Sequence, residues 1–213
     1  MRWGYHRSVP RIKTIIAVIA IALLAACSAA TARLAPAGPT VSQTIDEQVA
    51  REGAMPWAPD RRLAWTDFQG PAPANAGAVA AETAYTLIHG AGCTGSRFEF
   101  RVATAFRPNT SWVKPAMFTT AADSARALRH EQTHFDLAEV HARRLRRYYA
   151  ELISPCQVSE DDLTATANRI TQNEKAAQAQ YDAETDFGRN PAQQARWDKD
   201  VADQLLALAK YAR

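Results

Sequence analysis

The chain has 213 residues, of which 47% are hydrophobic and 22% charged. That balance excludes a disordered, collagen-like or coiled-coil protein and leaves room for one domain with a tail. The net charge of +3 is set by the N-terminus, where Arg2, Arg7, Arg11 and Lys13 fall within the first 27 residues and no acid does. Removing those four leaves 21 basic residues against 22 acidic ones, so the remainder carries no nucleic-acid footprint.

The first segment reads as an export signal over residues 1–27. Basic residues up to Lys13 precede an apolar run from Ile15 to Ala26, which then meets small residues. Twelve helical residues rise about 18 Å, short of the roughly 30 Å hydrocarbon core. Leu24-Ala-Ala-Cys27 resembles a bacterial lipobox, in which Cys27 becomes the lipidated first residue. Ala30-Thr-Ala32 offers ordinary cleavage as an alternative, and an uncleaved anchor is a third. All three place the rest of the chain outside the cytoplasm, either lipid-anchored to a membrane facing the periplasm or secreted.

Residues 28–60 are rich in Ala, Pro, Thr and Gln, which suits a flexible tether, with a short helix possible over Ile45 to Arg51. The folded domain is expected over 61–213. Within it, Val79 to Ile88 reads as a strand and His89 to Ser96 as a glycine-rich turn. From Arg97 to Phe106 apolar and charged residues alternate, as in a half-buried strand. A long helix follows from about Ala121 to Leu152, with Thr120 and Asp123 spaced for capping. Ser159 caps a second helix, running to about Tyr181, and Asn190-Pro191 opens a third.

The first long helix carries the sequence His130-Glu-Gln-Thr-His134, an HExxH. Four residues are about one helical turn, so both imidazoles point to one side, about 6 Å apart along the axis. That spacing lets both Nε2 atoms reach one Zn2+. Glu131 lies beside them, placed to act as general base on water activated by the metal. His130, His134, Ala138, His141, Leu145, Tyr148, Tyr149 and Leu152 share one face, expected to be buried. His141 lies about 10 Å along the axis from His134, too far to share the metal, and is expected to be packed or hydrogen-bonded. Arg143, Arg144, Arg146 and Arg147 are expected on a solvated face.

The stretch from His130 to Arg146 resembles the core of a bacterial family of unknown function described as predicted secreted zinc-dependent proteases. Trp65-Thr-Asp-Phe-Gln-Gly70, Ser111-Trp112, Tyr181-Asp-Ala-Glu-Thr-Asp-Phe-Gly188, Gln194 and Trp197 are similar to the family in order. The resemblance spans roughly residues 61–200 and implies export and zinc. Where the family pattern has a His before its last Gly, this chain has Phe187.

Catalytic zinc usually has three protein ligands plus water. Asp182, on a helix able to fold back on the first, is the expected third ligand, with Asp186 next. Glu139, about 140° round the helix from His134, is expected to meet other donors. The expectation is an α+β, zincin-like domain: a small antiparallel sheet packed on the HExxH helix, with two C-terminal helices. Its expected function is zinc-dependent hydrolysis of peptide bonds in peptide or protein substrates. A non-catalytic zinc-binding envelope lipoprotein and a cell-wall peptide amidase are the alternatives. If Cys27 is lipidated, Cys93 and Cys156 are the only cysteines left, and an oxidising compartment should pair them.

Overall fold

The computed structural model describes residues 39–213, which fall within one compact unit. The signal segment and Cys27 lie outside the described residues. The elements are α1 (Val41–Arg51), β1 (Met55–Pro56), β2 (Ala81–Glu82), β3 (Tyr85–Thr94), β4 (Arg97–Phe106), β5 (Trp112–Val113), α2 (Ala121–Ala150), α3 (Glu160–Thr185) and α4 (Pro191–Ala207). The fold is α+β. One antiparallel sheet has the order β1-β4-β3, and β2 pairs antiparallel with β5 in a second.

The hairpin β3–β4 runs in unbroken register from Tyr85↔Phe106 to Thr94↔Arg97. Its turn is only Gly95-Ser96, with Gly95 at φ +63°, a left-handed conformation that suits glycine at the first position of a tight hairpin turn. The glycine-rich stretch expected as a loop is therefore mostly strand. A Cβ on Gly90 would stand 3.0 Å from Val41 Cγ1, so the bare backbone at this one position lets α1 lie against the sheet.

That contact brings part of the stretch 28–60 onto the sheet. Residues expected as tether form α1, capped by a reciprocal box in which Gln43 N–H donates to Thr40 Oγ1 and Thr40 N–H to Gln43 Oε1. Its apolar face buries Ile45 and Val49 against Ala103 and Ala105 of β4. Burying such side chains stabilises a fold by about 1.5–3 kcal/mol each, which draws the segment onto the sheet.

Helix α2 is the axis of the molecule. Hairpin, α3 and α4 wrap it, so that residues on almost every side of it between His130 and Arg146 are buried. One apolar cluster joins it to β4 and α3 through Val102, Ala142, Leu145, Tyr149 and Ala167. Another joins it to α3 and α4 through Leu137, Val140, Tyr181 and Val201. Such enclosure leaves no solvated face for all four arginines. Arg144 and Arg147 are exposed, but Arg143 and Arg146 are buried and both grip Glu139 Oε1, at 3.0 and 2.8 Å. Their remaining N–H groups donate to the carbonyls of Leu205, Val102 and Tyr211. A buried ion group needs this kind of saturation.

Cys93, at the end of β3, is bonded to Cys156 in the turn after α2, with their Cα atoms 5.8 Å apart. The disulfide fastens the hairpin tip to the α2–α3 connection.

Candidate metal centre

The i, i+4 spacing brings the His130 and His134 rings to 4.7 Å between centroids, at 87° to one another. Their Nε2 atoms are 3.1 Å apart. Helix α3 folds back antiparallel to α2 and extends past Tyr181 to Thr185, which puts Asp182 in its last turn. Asp182 Oδ1 lies 3.1 Å from His130 Nε2 and 2.9 Å from His134 Nε2. Among the described residues these three form the group of side chains arranged to hold a metal ion. Four ligands in a tetrahedron at about 2.0–2.1 Å stand about 3.3 Å apart, close to the edges of this triangle.

Several neighbours hold the rings in place. Tyr181 stacks on His130 at 4.6 Å and meets His134 edge-on at 4.8 Å. Its hydroxyl lies 3.2 Å from the His130 carbonyl. After α3, Asp186, Phe187 and Gly188 take three successive positive φ angles of 50°, 53° and 77°. This turn lays Gly188 on the back of His130, where a Cβ would stand 3.0 Å from His130 Cβ.

The second nitrogen of each ring meets a glutamine. His134 Nδ1 lies 2.6 Å from Gln178 Oε1, while Gln178 Nε2 donates to the His134 carbonyl at 3.0 Å and to Glu174 Oε1 at 2.9 Å. Both of those partners only accept, so the amide oxygen faces the ring and Nδ1 carries the proton. His130 Nδ1 likewise faces Gln194 Oε1, at 3.2 Å. Two Nε2 atoms and a carboxylate oxygen therefore converge, all of them acceptors in their metal-binding forms. That donor set fits a cation such as Zn2+.

Without a cation, a proton takes part of that role. Burial disfavours the charged His134 ring, yet the Asp182 hydrogen bond and nearby Glu131 outweigh it and raise His134 to about 9. Burial likewise opposes the Asp182 carboxylate, but His130 and His134 hold it well below the usual range. The His134 Nε2 proton is the one a metal must replace.

Glu131 is buried beside this group and outside the triangle. One carboxylate oxygen, Oε2, accepts the Thr83 backbone N–H at 2.7 Å, and Thr83 Oγ1 donates to the Glu131 carbonyl at 3.1 Å. The turn between β2 and β3 thus fixes both its side chain and its backbone. The next residue, Gln132, accepts from Leu63 N at 2.7 Å and donates to Asp136, which also receives Trp57 Nε1 and Arg62 Nη1.

The other carboxylates weighed from the sequence lie elsewhere. Glu139 is occupied by Arg143 and Arg146, and Asp186 pairs at the surface with Arg189 at 2.7 Å. His141 is buried, with its Nε2 3.2 Å from Arg144 Nη1. Phe187 is exposed next to Arg189. Sequence reasoning did not find Thr83 or Gln178, and gave Gln194 no role. Their part in the site comes from folds of the chain 44 to 64 residues apart, which leave no local pattern.

A family model described as bacterial protein of unknown function, DUF922, matches residues 61–188. This chain belongs to that family. No curated protein and no solved structure matches the chain. The DUF922 segment holds the whole triangle, Glu131, Thr83 and Gln178, and its last residue is the Gly188 that lies on His130. Helix α4, which supplies Gln194, lies beyond the matched residues.

Proposed function

We propose that this DUF922 protein is a zinc-dependent, zincin-like hydrolase of the cell envelope that cleaves peptide bonds. The observation that carries the reading is the meeting of three metal-binding side chains with an HExxH glutamate beside them. In this reading His130, His134 and Asp182 hold the metal. Bound zinc supplies Lewis acidity, polarising a carbonyl and lowering the pKa of water toward about 7. Glu131 is the general base: pinned through one oxygen by Thr83, it accepts a proton from the attacking water and returns it to the leaving amine. Among the described residues no fourth His, Cys or carboxylate joins the group, which favours a site open to substrate over a closed structural one. The N-terminal lipobox, with Cys27 lipidated, would hold the domain at a membrane surface facing the periplasm, and an oxidising compartment agrees with the Cys93–Cys156 disulfide.

The test is turnover on an unbiased peptide library by zinc-loaded protein. Glu131→Gln keeps the size of the side chain and an oxygen for Thr83 but cannot take the proton. It should keep its zinc while turnover falls about 10²–10⁴-fold. Equal turnover by wild type and variant would rule out the hydrolase mechanism.

A further inference from the structure

His130 is held by a network that differs from that of His134. Its Nδ1 lies 3.2 Å from Gln194 Oε1, and Gln194 is almost wholly buried. The Tyr181 hydroxyl stands within hydrogen-bond distance of both ends of that amide, 2.9 Å from Oε1 and 2.6 Å from Nε2. Gln194 Nε2 is also 2.7 Å from Asp198 Oδ1, which receives Thr133 Oγ1 at 2.7 Å. Almost every side chain in this chain of contacts can face either way. A glutamine amide can turn over, a hydroxyl can donate or accept, and a neutral imidazole has two tautomers. Asp198 is the exception. Its carboxylate only accepts, and among the described residues it pairs with no cation.

We infer that Asp198 is a positioning residue of the metal site: by holding the Gln194 amide nitrogen, it turns Oε1 to His130 and keeps the proton on Nδ1. His130 Nε2 is then left with its lone pair directed into the triangle. The same network with the amide reversed would put Gln194 Nε2 against Nδ1, and the His130 proton on Nε2, where the metal should bind. The His130 carbonyl, 3.2 Å from the Tyr181 hydroxyl, supports the same polarity at longer range. The assignment rests on the metal-site reading above and extends it to α4, which the family match does not cover.

The test compares full-length wild type, Asp198→Asn and Asp198→Glu for zinc affinity, with Co2+ absorption as a report on ligand geometry. Asp198→Asn is nearly isosteric but can donate, so it frees the amide to reverse; its affinity should fall about 10–100-fold, the usual effect of losing a partner behind a metal ligand. Asp198→Glu disturbs packing more but restores an acceptor-only group, and should recover most of the affinity and the wild-type Co2+ spectrum. A packing role predicts the opposite order, with Asn benign and Glu harmful, and that order would overturn the assignment. A long-range 1H–15N spectrum of the zinc-loaded wild type tests the polarity without any variant. It should show His130 bound through Nε2 and protonated at Nδ1; ligation through Nδ1 would overturn the inference. Wild type that takes up no zinc defeats the metal reading itself, whereas zinc-binding wild type with an unaffected Asp198→Asn defeats only the role of Asp198.

Discussion

Seven residues along α2 separate two histidines with opposite environments. His134 faces carboxylates that raise it to about 9, whereas burial, aided by the neighbouring Arg144 guanidinium, lowers His141 to about 4. His141 is thus neutral in the folded protein where an unfolded histidine, with its pKa near 6.5, would charge. The stability this contributes is fully present above about pH 6.5 and is lost as pH falls toward 4. Urea midpoints measured across that window should fall less steeply for His141→Gln than for wild type. Parallel curves would show that His141 does not couple folding to protons. From the sequence, spacing alone separated the roles of these two residues, because helical rise is a fixed length. It could not show that Arg143 and Arg146 turn inward, although Glu139, four and seven residues before them, was a visible partner.

At the scale of elements, the turn after α3 decides how closely that helix approaches α2. Gly188 combines a φ of +77° with a backbone pressed on His130. Gly188→Ala should cost about 1–2 kcal/mol through the left-handed conformation alone. It should also push on His130 at a point 3.0 Å away, so zinc affinity should fall along with thermal stability. Wild-type affinity in this variant would mean that the turn does not help place the ring. The pattern of elements was largely legible: α2, α3 and α4 announce themselves by N-caps at Thr120, Ser159 and Asn190, each confirmed by its side-chain hydrogen bond. Two pieces were less so. A short helix over Ile45 to Arg51 was legible within the tether, but its start at Val41 and its packing on the sheet were not. Gly90 of β3 read as part of a turn because its purpose, room for α1, lies on another element.

Over the whole molecule, α2 is buried by elements that precede and follow it in the chain, and the disulfide ties two of these regions together, the β3–β4 hairpin and the α2–α3 connection. Cys93 and Cys156 are 63 residues apart, a loop whose closure contributes about 4 kcal/mol in the chain-entropy view. Replacing both with Ser should lower the unfolding free energy by up to that amount while leaving zinc binding in the folded protein intact, since the bridge lies at the far end of α2 from His130. Loss of zinc from a still-folded double variant would reveal a coupling along the helix that the packing does not suggest. The candidate site itself was half legible at this scale. His130, Glu131 and His134 share one helix and one motif, and Asp182 followed from the return of α3. Thr83, Gln178 and Gln194 became meaningful only when the β2–β3 turn, α3 and α4 closed round α2.

In the proposed function, His130, His134 and Asp182 together hold one metal ion. The most direct measurement is the metal content of the purified full-length protein after equilibration with zinc and removal of the excess, for wild type, Asp182→Ala and Asp186→Ala. One zinc per chain is expected in wild type and in Asp186→Ala, because the Asp186 side chain faces Arg189 at the surface, and that zinc should be lost in Asp182→Ala. Wild type without zinc, or Asp182→Ala retaining a full equivalent, would contradict that reading.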